Sequence, residues 1–112
     1  MTRLLLASIL LLAGGCGPRF EPAPRPLGGY PALVLNETVQ VRVRSLTATL
    51  TAGTRLVAEG TIGGEAAFCG PALVLGVVER ICFIRRDETC LIPDGVGPPT
   101  CLPPGIFRRE WS

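Results

Sequence analysis

The chain has 112 residues, a formal net charge of +2 and no histidine. That length holds one small domain, and the near-balance of acids and bases forms no basic stripe, so nucleic-acid binding has no electrostatic support. The missing imidazole removes the commonest general base from consideration.

In chain order, Met1-Thr2-Arg3 is a short positive segment and Leu4 to Ala13 is an uncharged apolar run. This is the order of parts in a secretory signal. The run is shorter than the about 20 apolar residues that a membrane-spanning helix needs. It also inflates the positive mean hydropathy of the chain. Ala13-Gly14-Gly15-Cys16 then resembles the lipobox of bacterial lipoproteins, in which small residues precede an obligatory cysteine. The resemblance covers residues 1–16 and nothing beyond them. It implies cleavage between Gly15 and Cys16, a thioether-linked diacylglycerol on Cys16, and acylation of the new N-terminus. Ala13 stands where that family most often has leucine. Gly17 rather than aspartate follows the cysteine, which in the family's sorting habit favours the outer membrane. The resemblance therefore implies a lipid-anchored protein of the cell envelope, facing the periplasm. The chain divides on this reading into a signal peptide over 1–15, an acylated cysteine and Pro-rich tether over 16–29, and a small domain over 30–112.

The tether carries Pro18, Pro22, Pro24 and Pro26 without apolar periodicity. As polyproline II it would reach roughly 40 Å. From Tyr30 the patterns are those of strands. Val39, Val41 and Val43 alternate with Gln40, Arg42 and Arg44, as in a half-buried antiparallel strand. The phase shifts after Ser45, where a bulge or turn is expected, and Leu46, Ala48 and Leu50 continue the alternation. Ala52-Gly53 marks a further turn. A loop of Ala52, Gly53 and Thr54 would set Leu50 opposite Leu56 and Ala48 opposite Ala58, keeping apolar side chains on one face. Gly63-Gly64 ends that strand.

Ala72 to Ile84 is the most apolar stretch. Its length suits a helix opened by Pro71, whereas Gly76 and the β-branched Val74, Val77, Val78 and Ile81 favour a strand, which is the preferred reading. Arg85-Arg86-Asp87-Glu88 is expected to turn before Cys90. Residues 93–104 are rich in proline and glycine and read as loop. Ile106 to Trp111 is expected to fold back as an edge strand. Pro31-Ala32-Leu33-Val34-Leu35 recurs as Pro71-Ala72-Leu73-Val74-Leu75. This echo is either a duplicated β unit or a coincidence of an Ala-, Leu- and Val-rich chain, and two copies are too few for a solenoid.

With Cys16 given to lipid, Cys69, Cys82, Cys90 and Cys101 form an even set in an exported chain, so two disulfides are expected. Three pairings are possible. Cys82–Cys90 across a hairpin with Cys69–Cys101 closing the longer loop is preferred. Without histidine or a C-x-x-C pair, no zinc site is expected. The fold class that follows is mainly β, a small antiparallel sandwich or barrel-like domain stapled by two disulfides.

No catalytic residue is assigned. Ser45 and Ser112 lie in no nucleophile pattern. Asp87 and Glu88 are adjacent and would face opposite sides of a strand, so a solvated turn suits them better than paired glycosidase carboxylates. Gly60 to Gly64 lacks the lysine and following helix of a phosphate loop. Arg85-Arg86 and Arg108-Arg109 are either surface charge or contacts to anionic lipid or polysaccharide. Asn36-Glu37-Thr38 fits a glycosylation sequon that means little in a bacterial setting. The expected function is a non-enzymatic structural or protein-interaction role, with no cofactor. Its partners would be the membrane through the N-terminal lipid and an envelope protein or polysaccharide. The alternative is a tethered ligand-binding or enzyme-inhibitor module, with the segment from Asp94 to Thr100 as a candidate inserting loop.

Overall fold

In a computed structural model of the chain, residues 19–23 and 28–111 are described. The signal segment and Cys16 lie outside them. The described residues form no helix and ten strands: β1 (Phe20–Pro22), β2 (Ala32–Leu35), β3 (Val39–Val43), β4 (Leu46–Leu50), β5 (Arg55–Ile62), β6 (Glu65–Val74), β7 (Val77–Arg86), β8 (Cys90–Pro93), β9 (Thr100–Cys101) and β10 (Phe107–Glu110). Every pairing is antiparallel. One path runs β10-β2-β5-β6-β7-β8-β9, with β1 added to β5, β4 added to β6, and β3 outside β4. The sheet curls into a half-barrel. Its seam is held by the Arg42 N–H donating to Thr100 Oγ1 at 3.2 Å and by an Arg44–Asp94 ion pair at 3.1 Å.

The longest strands, β6 and β7, cover the apolar stretch 72–84, which is strand as preferred from its composition. It is two strands, divided at Leu75-Gly76. Both turn residues have positive φ, 52° and 78°, as a tight hairpin turn requires. Alternation on these strands buries both faces. Phe68, Ala72, Val74, Ile81 and Phe83 point into the curl and join Leu33, Leu35, Leu50, Leu56 and Leu91 in the main core. Ala67, Cys69, Cys82 and Ile84 point outward into a second cluster with Ile62, against which Phe20 and Ile92 pack.

The register of β5 explains how one strand serves both clusters. Ala58 pairs with Phe68 and Gly60 with Ala67, so Glu59 is an extra residue, a β-bulge. A one-residue slip exchanges the two faces of a strand. Leu56 and Ala58 therefore face the main core, whereas Gly60 and Ile62 face the outer cluster.

The expected pairing of Leu50 with Leu56 and of Ala48 with Ala58 does not form. Ala48 lies opposite Val74 and Thr49 opposite Leu73, while Val57 lies opposite Cys69. β4 and β5 thus run end to end along the same edge of β6. The intervening Thr51 to Thr54 loop is closed by a different strand. The Leu35 N–H donates to the Thr54 carbonyl at 3.0 Å, and the Gly53 N–H donates to the Leu35 carbonyl at 2.8 Å. The other edge of β4 is taken by β3, across the tight Arg44-Ser45 turn that joins Val43 to its partner Leu46.

Three further differences concern the ends of elements. Arg85 and Arg86 still belong to β7, and the turn is Asp87 to Thr89, with Asp87 and Glu88 at φ 51° and 67°. The segment 93–104, expected as loop throughout, contains β9. Within the 16–29 tether, Phe20–Pro22 is a strand: Phe20 pairs with Ile62 and Pro22 with Gly60. The sheet therefore begins ahead of Tyr30. Proline fits there because β1 is an edge strand. The tail does form an edge strand, with Phe107 opposite Leu35 and Arg109 opposite Leu33. The internal echo does not mark equivalent positions, since Leu35 is fully buried and Leu75 is 81% exposed.

Candidate functional site

The four cysteines beyond Cys16 form two disulfides, Cys69–Cys82 and Cys90–Cys101. The preferred pairing of Cys82 with Cys90 and Cys69 with Cys101 is corrected by the strand register. Cys69 stands directly opposite Cys82 across β6 and β7, and Cys90 opposite Cys101 across β8 and β9. Cys82 and Cys90 lie on neighbouring strands too, but there Cys90 faces Arg86. Both bridges join adjacent strands on the outer face. Cys69–Cys82 is buried in the outer cluster, whereas Cys101 is exposed.

The sequence-selected charged residues separate on folding. Arg86 donates to both Glu65 oxygens, at 2.8 Å to Oε2, and this contact lowers the Glu65 pKa below the ordinary carboxylate value. Arg108 pairs with Glu110 at 3.3 Å and donates to Asn36 Oδ1 at 3.0 Å. Asp87 and Glu88 form the exposed turn. Asp94 is tied to the body by Arg44 and by its N–H donating to the Cys82 carbonyl at 2.9 Å. A Cβ on Gly95 would come within 3 Å of Ile84 and Ile62. The start of the expected inserting loop is thus packed down. Among the described residues, no three acidic or cysteine side chains gather as metal ligands.

A different segment stands out at the surface, the β6–β7 hairpin end. Leu75 is 81% exposed, Val78 66% and Val77 62%. The outer edge of β7 from Val77 to Ile81 has no strand partner among the described residues, because β8 joins β7 only from Phe83. Next to this end lies an open cleft of about 270 Å³, lined by Thr49, Thr51, Thr54, Pro71, Ala72, Leu73 and Val78. The threonines supply hydroxyls along an otherwise apolar wall. Such an arrangement suits contact with a partner's apolar side chain or extended backbone. The β-branched composition of 72–84 favoured a strand and did not mark its exposed end. The signal for the exposed turn was Gly76 alone.

No family model matches the chain, and no curated protein or solved structure matches it.

Proposed function

We propose that the protein is a lipid-anchored bacterial envelope protein whose β domain serves a non-enzymatic protein-interaction role. The anchor rests on the lipobox resemblance and Cys16. The interaction reading rests on one observation, the exposed Leu75, Val77 and Val78 at the β6–β7 end. Leu75 at the turn and Val78 beside Leu73 on the outer face make an exposed apolar end, with Val77 on the concave face, and exposed apolar groupings of this kind mark contact sites. A partner that covers them would also meet the unpaired outer edge of β7, where backbone hydrogen bonding adds a strand.

Both halves are testable in the native envelope. Cys16→Ala should abolish metabolic fatty-acid labelling, and undiminished label would reject the anchor. A photo-crosslinking residue at Leu75 should give a discrete protein adduct that the same residue at the exposed Asp87, beyond the opposite end of β7, does not give. Equal adducts at both positions, or a tightly bound small ligand with no protein partner, would reject the interaction reading.

A further inference from the structure

Two arginine doublets flagged in the sequence, Arg85-Arg86 and Arg108-Arg109, each place one member on either face of the sheet. Arg86 and Arg108 face outward, and each forms an ion pair. Arg85 pairs in register with the core residue Leu91, and Arg109 with the core residue Leu33. Both therefore face the concave side of the curl. β7 and β10 are not neighbours in the sheet, so only the curl brings these residues together. They meet across a cleft of about 100 Å³ at its mouth, lined also by Leu33, Glu88, Thr89 and Phe107.

This mouth holds two arginines without a paired carboxylate. Arg44, Arg55, Arg80, Arg86 and Arg108 all pair with carboxylates. Arg85, Arg109, Arg19 and Arg42 pair with none among the described residues, but of these only Arg85 and Arg109 line this one cleft. Burial, and next the charge of Arg109, lower the Arg85 pKa, while Glu88 opposes them. Two cations thus face each other across the cleft with no carboxylate paired to either, which disfavours the Arg85 charge.

Arg85 is also fixed in orientation. Its Nε and Nη2 donate to the Glu88 carbonyl at 3.1 and 2.6 Å, and its guanidinium lies 5.8 Å from the Phe68 ring centre. A guanidinium has five N–H donors, so several remain for a ligand.

We propose that the mouth between Arg85 and Arg109 is a binding site for a phosphate-class oxyanion, held by both guanidinium groups in a cleft that Thr89 also lines. A planar donor fork matches phosphate oxygens, and the oxyanion relieves the repulsion between the two arginines. Glu88 borders the site and weakens it. The phosphate belongs either to a lipid headgroup or to a free solute. The cleft is at the end of the sheet where β1 enters, since Phe20 opposes Ile62 and the neighbouring Glu65 bonds Arg86. A headgroup source rests on the anchorage proposed above, but the anion site does not.

The test is arginine Nε–H NMR of the full mature chain with both disulfides intact, in an uncharged detergent, titrated with inorganic phosphate. The expected result is a saturable shift of the Arg85 and Arg109 signals together. Arg109→Gln should weaken binding about tenfold or more, the loss of one charge-assisted contact, and Glu88→Gln should tighten it. Arg42→Gln, on exposed β3, should change nothing. Arg109 makes no hydrogen bond through its side chain among the described residues, so its removal tests the ligand rather than the fold. Vesicles of phosphatidylcholine with and without phosphatidylglycerol then separate the sources. Vesicle binding that Arg109→Gln weakens, on either composition, assigns the headgroup, and vesicle binding indifferent to Arg109→Gln beside a saturable phosphate shift assigns the free anion. Absence of a saturable shift at both arginines, with vesicle binding indifferent to Arg109→Gln, would overturn the site even if Cys16 proves acylated.

Discussion

The Phe20 ring occupies the space in which a side chain on Gly60 would stand. A Cβ at Gly60 would lie 2.8 Å from the ring and 2.3 Å from the Glu21 carbonyl oxygen. The absence of a side chain at position 60 is what lets β1 close against β5. Phe20 then covers the outer cluster and sits beneath the Arg80 guanidinium, 5.8 Å from its ring centre. Arg80 is held in turn by Glu59 at 2.6 Å.

Gly60→Ala should therefore detach β1 while leaving the main core intact. The expected cost is about 1–3 kcal/mol, typical of overpacking in a closed site. Amide exchange is the sharper readout. The Ala23 N–H, which donates to the Glu59 carbonyl at 3.0 Å, should lose protection, while amides of β6 and β7 keep theirs. Equal loss throughout the sheet would show that β1 is not a separable element.

The disulfide pattern can be read from a single digest. Trypsin should release Leu56–Arg80 linked to Ile81–Arg85 through Cys69–Cys82, with Cys90–Cys101 closed inside a separate peptide, Asp87–Arg108. Pairing of Cys82 with Cys90 would instead join all three peptides. Replacing both Cys69 and Cys82 by alanine should cost about 3 kcal/mol from the unfolded chain's regained freedom. It should cost more than the same change at Cys90 and Cys101, because the first bridge also fills the buried outer cluster.

Period-2 alternation made β3, β4 and β5 legible, since Val41, Val43, Ala48, Leu50, Leu56 and Ala58 are all buried as their phase requires. The turn at Ser45 was legible for the same reason. The partner of each strand was not. Leu50 and Leu56 share a face in both the expected and the observed arrangement, so phase alone could not separate a hairpin from two collinear strands. The deciding contact is the hydrogen-bonded clasp by Leu35, which is remote in sequence from the Thr51 to Thr54 loop. The bulge at Glu59 leaves no mark in composition, yet it sends Ile62 to the opposite face from Ala58. β1 was hidden by the prolines around it. Of the candidate site, the arginine doublets were visible in the sequence. Their convergence through Arg85 and Arg109 depends on the curl of the whole sheet.

The Glu65–Arg86 contact links the turn ends of two hairpins and should respond to pH. Its folded-state carboxyl titrates below the ordinary value because Arg86 donates hydrogen bonds to it. For a depressed carboxylate the sign is fixed: its contribution is present above the unfolded pKa and lost as pH falls through the lower folded one. Both side chains are exposed to solvent, so salt should weaken the effect. Carboxyl NMR should place the Glu65 midpoint below that of an unpaired glutamate. In Arg86→Gln the midpoint should return to the ordinary value, and added salt should move the native protein the same way.

Leu75 separates stability from recognition. It is the first residue of a tight turn, it is 81% exposed, and its φ of 52° is a conformation that leucine rarely adopts. Neither packing nor backbone preference accounts for an apolar side chain there. Leu75→Asn should leave stability unchanged or raise it slightly, since asparagine tolerates the left-handed region better. Surface changes of this kind stay within about 0.5 kcal/mol. Leu50→Ala, by contrast, empties a fully buried site and should cost about 2–5 kcal/mol. If the hairpin end is a contact surface, Leu75→Asn should lose the partner adduct while its urea midpoint holds. Loss of both together would make Leu75 a structural residue, and retention of the adduct would move the contact surface elsewhere.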